Sequence, residues 1–323
     1  MNRSVYGALV AAPDSIRTGL LKAFAPRTSP PGVATVLRSV LWPIAILMII
    51  HRSYVLATNG YITDDYGPVY RAVSNFRRGL DIYNEHLDYV DPHYLYPPGG
   101  TLLMAPFGYL PVDASRWWFE SINCAAIIIA AYFLVRLFGY GFTSVAYPAL
   151  LVAMFCTESV INTLVFGNVN GCVLLLEVLF FRWLLDGKLS HEWWAGMAIG
   201  LSLVVKPVLA PLLLLPLLNR QWRAVVAAIV VPVVFNVAAW PLVADPMNFV
   251  THTLPYIFSI RDYFNSSIQG NGVYYGLPMW LIMLLRIVFA VLAVVAIWLL
   301  YRHYRTRDPL FWMMTSSGVL LIM

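Results

Sequence analysis

Long apolar runs separated by short polar segments make up most of this chain. The runs at 40–58, 117–137, 143–156, 171–185, 224–243 and 279–301 are each near the ~20 residues that a helix needs to cross a ~30 Å hydrocarbon core. None shows the period-2 alternation of barrel strands, and in lipid only helices or closed barrels satisfy their own backbone groups. The pattern predicts an all-α, polytopic transmembrane helical bundle. One run departs from it: 193–218 is interrupted by Lys206-Pro207, and each half is too short to span alone. With Arg220 and Arg223 following, it reads as a broken helix pair that enters from the cytoplasm, turns at depth and returns.

The polar segments set the expected orientation. Residues 1–37 carry Arg3, Arg17, Lys22 and Arg27 against the single acid Asp14, as a cytoplasmic tail would. Arg38 precedes the first span, which leaves a transmembrane domain over 38–323. Residues 59–115 hold seven acids against three arginines, the opposite sign, as an external loop would. Within it 66–79 predicts an amphipathic helix ended by Gly79, and 101–110 a short apolar one, both lying in the interface rather than crossing it. A second external loop covers 244–278, and Arg302, His303, Arg305 and Arg307 form a basic cytoplasmic turn. The chain stops at Met323 inside another apolar run, so the sequence is expected to be a fragment, truncated at its C-terminus. No cleavable signal peptide is visible in the polar, Pro-rich first 37 residues.

Composition strengthens this picture and removes others. The chain is 60% hydrophobic and 11% charged, where a soluble domain has about 45–50% and about 25%. The net charge of +5 is not a nucleic-acid signal, because the bases sit at span ends rather than along one face. Three cysteines (Cys124, Cys156, Cys172) in apolar stretches predict buried structural thiols without metal-ligand spacing.

Candidate chemistry falls mainly in the external loops. Thr63-Asp64-Asp65 lies just beyond the first span, where a half-desolvated carboxylate is better suited to general-base work than a solvated one; a solvated pair or an N-cap for the helix at Tyr66 is the plainer reading. The segment 89–100, with His93, Tyr94, Tyr96, Pro97-Pro98 and Gly99-Gly100, predicts a rigid loop whose aromatic faces suit either a sugar ring or the headgroup belt. Lys206 at the helix break could hold a lipid phosphate as a point charge, or pair with Glu158 or Glu177 to fix the bundle. The second loop offers His252, Arg261, Asp262 and Asn265, read as an anion clamp or as headgroup anchors. Asn162, Asn168 and Asn170, around Gly167 and Gly171, suggest a further non-helical insertion.

These features resemble the GT-C class of membrane glycosyltransferases. The stretches ITDDYGPVYRAVSNFRRGLDIYNEH (62–86), DPHYLYPPGGTLLMAPFGYLP (91–111), LLPLLNRQWRAVVAA (214–228) and RDYFNSSIQGNGVYYGLP (261–278) are similar to mycobacterial arabinofuranosyltransferases of glycosyltransferase family 87. The resemblance covers the chain from the tail to the last residue, and the family is longer at its C-terminus. It implies a multi-pass plasma-membrane enzyme with its active site on the extracytoplasmic face. Such an enzyme transfers D-arabinofuranose from decaprenyl-phosphoryl-arabinose to arabinan, making α-(1→3) branches in cell-wall arabinogalactan and lipoarabinomannan. A β-linked donor and an α product imply inversion in one displacement, with Asp65 or its neighbour Asp64 as the base and no covalent intermediate. Lys206, Arg261 and His252 would stabilise the leaving phosphate, and His93, Tyr94, Tyr96 and Asn170 would line the sugar pocket. No cofactor or obligatory metal is expected; the partners are the lipid-linked donor, the arabinan acceptor and membrane lipids, with no nucleic acid.

Two other functions fit the residues without the resemblance. A transporter or flippase of a polyprenyl-linked sugar would also use a broken helix and an intramembrane lysine. A mannosyltransferase using polyprenyl-phosphomannose would share the whole constellation, since the sequence does not separate a furanose pocket from a hexose one.

Overall fold

The computed structural model describes residues 31–56, 64–88, 92–261 and 267–322. Thr63, Tyr89, Asp91, Asp262, Asn265 and the tail before Pro31 lie outside the described residues. Among those described, every regular element is helical. Four helices are long and apolar enough to cross a bilayer: Gly32–Val55, Val112–Leu137, Trp222–Leu242 and Met279–Tyr304. A pair bent by 64°, Ala146–Phe155 and Glu158–Val165, would supply a fifth span. In three of these helices most of the apolar window is exposed, whereas half of that of Val112–Leu137 is buried. In Met279–Tyr304 only Ile282, Ala293 and Ile297 are buried, as expected of a surface solvated by lipid rather than water. The protein is an all-α, polytopic membrane protein.

The chain divides into two compact units. The first combines the chain up to Ile62 with Trp117–Leu175. Its opening helix begins at Pro31, nine residues ahead of the expected Val40, because proline is well tolerated at the first helical position. Arg38 therefore lies two turns inside the helix, where it donates to the Ala34 carbonyl (3.2 Å) and the Thr143 carbonyl (2.8 Å). The helix ends in a π-helical turn, His51–Leu56. Ala45, Cys124, Ile127, Ala131, Tyr147, Leu151, Phe155 and Leu164 form this unit's core. The break at Cys156-Thr157 is set by Thr157, whose hydroxyl accepts from the Val160 N–H (3.4 Å) and starts a new helix. Asn162 thus sits on a helix rather than in the expected insertion, and the irregular backbone is confined to residues 166–169. All three cysteines are free, as expected, but Cys156 at the break is exposed rather than buried.

The second unit combines Thr63–Arg116 with Leu176–Met323. The amphipathic helix Tyr66–Arg78 ends at Gly79, whose φ of 67° closes a left-handed C-cap. The apolar segment forms Pro98–Met104 and a 3-10 turn, Ala105–Tyr109, that packs under it. Leu189–Val205 and Trp222–Ala239 pack along their lengths, brought together by Gly196 and Gly200. The helix break stands where the sequence places it: Lys206 caps Leu189–Val205, and Pro207 begins a 3-10 segment to Leu213.

Candidate active site

The site is assembled in the second unit around Asp65. Asp64 and Asp65 adjoin in sequence and have different surroundings. Asp64 accepts from the Tyr66 N–H through Oδ1 (2.8 Å) and forms a close ion pair with Arg116 through Oδ2. It thereby takes the helix-starting role, while the Asp65 side chain makes no cap of its own. Asp65 is half-buried and lies within electrostatic reach of Lys206 and of the Tyr96 phenol.

Lys206 and Tyr96 reach Asp65 because Pro97-Pro98-Gly99-Gly100 is wedged between two helices. The Gly99 N–H donates to Asn236 Oδ1 on Trp222–Ala239 (3.0 Å). A Cβ on Gly100 would stand 3.2 Å from the Val204 carbonyl oxygen, two residues before Lys206. Glycine is required here by close backbone approach rather than by an unusual φ. Lys206 also feels the charge of half-buried Glu177, so two carboxylates act on it. Of the two glutamates that the sequence offers as partners, Glu177 is the one whose charge acts on Lys206; Glu158 is exposed and belongs to the first unit.

Behind Tyr96 lies a buried tyrosine cluster. The Tyr94 hydroxyl bonds Thr101 Oγ1 (2.7 Å), and the Tyr83 hydroxyl donates to the Tyr96 carbonyl (2.9 Å). Thr101 is fully buried and Tyr94 is 4% exposed, so this ring shapes the wall of the site from within. Desolvation pushes the phenols of Tyr83, Tyr94 and Tyr96 well above the ordinary tyrosine range, with the Asp65 charge adding to the effect at Tyr96.

A second group gathers on Tyr256. The His93 side chain, 2% exposed, stands edge-on to the Tyr256 ring (5.2 Å) with Nδ1 3.6 Å from Glu85 Oε1. The Arg261 guanidinium lies over the same ring at 4.3 Å. Glu85 also meets Arg71 (3.6 Å) and accepts from the Tyr94 N–H (3.2 Å), joining this group to the tyrosine cluster. His252 is exposed on the π-helical turn Phe249–Thr253. Asn170 opens the helix Asn170–Asp186 and belongs to the first unit. Among the described residues no three His, Cys, Asp or Glu side chains gather as metal ligands do.

Arg116, Glu85, Thr101, Asn236 and Tyr256 were not marked as site residues by the sequence. Arg116 carries a readable signal, as a charge in the first turns of a long apolar helix. Asn236 is recognised only by a partner distant in the chain, whereas Glu85, Thr101 and Tyr256 gain their roles from loop neighbours that no regular spacing marks.

A half-buried carboxylate at a helix start, a lysine at a broken helix and an aromatic wall, all in a polytopic membrane protein, suit a lipid-linked anionic substrate and a proton acceptor. The comparisons with known proteins agree with this class. The model of glycosyltransferase family 87 matches residues 94–323. The chain is 73% identical over 317 residues to the α-(1→3)-arabinofuranosyltransferase of Mycolicibacterium smegmatis, covering 98% of this chain and 74% of that one. It is 70% identical over 322 residues to the enzyme of that name in Mycobacterium tuberculosis, with the same coverage. In Corynebacterium glutamicum the likeness is 43% over 284 residues, 88% of this chain and 67% of the relative. No solved structure matches. The chain belongs to glycosyltransferase family 87, and it is a glycosyltransferase.

Proposed function

We propose that this protein is an inverting α-(1→3)-arabinofuranosyltransferase that uses decaprenyl-phosphoryl-arabinose as donor and arabinan as acceptor. The sugar and linkage are supported by the names of the mycobacterial relatives. The mechanism is carried by one observation: Asp64 is engaged by Arg116 and the Tyr66 N–H, while Asp65 lies within electrostatic reach of Lys206 and Tyr96.

In this reading Asp65 takes the proton from the acceptor 3-hydroxyl as that oxygen attacks C1 of the donor. The C1–O bond to phosphate breaks on the opposite face, and decaprenyl monophosphate leaves. Lys206 stabilises the charge that develops on the phosphate, and Arg261 and exposed His252 are placed in the loop that would complete the clamp. Tyr96 lines the sugar side, with Tyr94 and His93 holding that wall in place. The active site opens on the extracytoplasmic face of the plasma membrane, where the acidic first loop is expected, and the arabinan product is a part of arabinogalactan and lipoarabinomannan.

The test is transfer from synthetic polyprenyl-phosphoarabinose to a linear α-(1→5) arabinan by the wild type and Asp65→Asn, with linkage read by NMR. A 3-linked branch is expected from the wild type. The variant should lose about 10²–10⁴-fold in rate while still binding donor. An intact wild type that binds donor and transfers nothing would overturn the function. Near wild-type transfer by Asp65→Asn would overturn the base.

A further inference from the structure

We propose that Arg116 is a positioning residue for transfer, clamping Asp64 so that the turn carrying Asp65 is held in one orientation. The inference rests on the reading of Asp65 as the base.

The geometry is local and doubled. Asp65 is flanked by Asp64 and Tyr66, and both are tied to consecutive residues at the start of Val112–Leu137. Asp64 pairs with Arg116, and the Tyr66 hydroxyl bonds Ser115. Ser115 is fully buried and donates to the Phe107 carbonyl (2.8 Å), so its oxygen accepts from Tyr66. The Asp64 and Arg116 side chains are 16% and 18% exposed, largely out of water, where an ion pair is weakly screened and holds its geometry. The Asp65 side chain contributes no cap to its own helix. The turn that carries Asp65 is thus tied down on both sides, at Asp64 and at Tyr66. Because Asp64 already meets the Arg116 charge, that guanidinium acts through Asp64 rather than on the donor phosphate.

Steady-state transfer by the purified full chain, with polyprenyl-phosphoarabinose and arabinan, tests this. Arg116→Gln and Asp64→Asn should each lower kcat about 10–100-fold, since ångström-scale misplacement of a reacting group costs that much. Donor KM should stay within about 2-fold of wild type, because ground-state binding is untouched. The double variant should be no slower than the slower single, as for two residues acting as one unit. Arg116→Lys should recover part of the rate. A raised donor KM at unchanged kcat would make Arg116 a donor ligand and overturn the proposal, as would losses that add in the double variant. If Arg116→Gln fails to fold, as judged by melting in detergent, Asp64→Asn with wild-type kcat still refutes the proposal. Inactive Asp64→Asn beside active Asp65→Asn would instead overturn the base assignment beneath it.

Discussion

Substituting Gly196 by alanine tests the helix crossing that carries Lys206. A Cβ there would lie 2.3 Å from the Ala224 carbonyl oxygen, 2.9 Å from its carbon and 2.7 Å from the Ala227 Cβ. Two of these obstacles are backbone and the third is a fixed methyl, so no flexible side chain can move aside. Restoring even a 3.0 Å contact requires Leu189–Val205 and Trp222–Ala239 to part by about 0.7 Å, an overpacking that costs about 1–3 kcal/mol. Alanine returns up to about 1 kcal/mol of helix propensity, leaving a net loss of up to roughly 2 kcal/mol. The same displacement shifts Lys206 at the helix end, and misplacement on that scale can slow transfer by up to about 10²-fold. Thermal melting in detergent and the transfer rate should both fall. Gly318→Ala is the control: nothing lies within 4 Å of its Cβ, so its melting temperature should hold or rise. A Gly196→Ala protein that melts and transfers like wild type would refute the close crossing.

Thr101→Val removes the partner of the buried Tyr94 hydroxyl and should cost about 1–3 kcal/mol, read as a lower melting temperature. Adding Tyr94→Phe should return part of that loss, because the unpaired hydroxyl goes with it; no recovery would mean that the bond is not the cause. Tyr83, Tyr94 and Tyr96 have phenols raised by burial, so the unfolded chain gives up these protons first. Their contribution to stability is full below about pH 10 and is lost as pH climbs from there through the folded values. Tyrosinate absorbance should therefore lag by these three groups until the protein unfolds, and a complete tyrosine titration near pH 10 in folded protein would contradict the buried cluster.

Local chemistry was the legible part of this protein. Gly79 as a C-cap, the break at Lys206-Pro207 and the long apolar helices follow from properties of single residues and short windows, and the structure has all three. The G-x-x-x-G spacing of Gly196 and Gly200 is a readable crossing signal that the pattern of apolar runs hides. The surroundings of Asp64 were not legible, because the Arg116 that pairs with it lies 52 residues away. The start at Pro31 and the helix through Asn162 differ from expectation for local reasons, an N-terminal proline and the Thr157 cap, whose signals are weaker than hydropathy.

The two loops of the second unit are latched together. Asn248 donates to Asp81 Oδ2 (2.7 Å), and Phe249 packs on Tyr83 at 5.3 Å, across 167 and 166 residues of chain. Neither loop is thus an independent module. A chimera carrying one foreign loop would inherit half a latch. In the lineage of this family the two loops are therefore expected to change in step, with substitutions at 81 and 83 answered at 248 and 249.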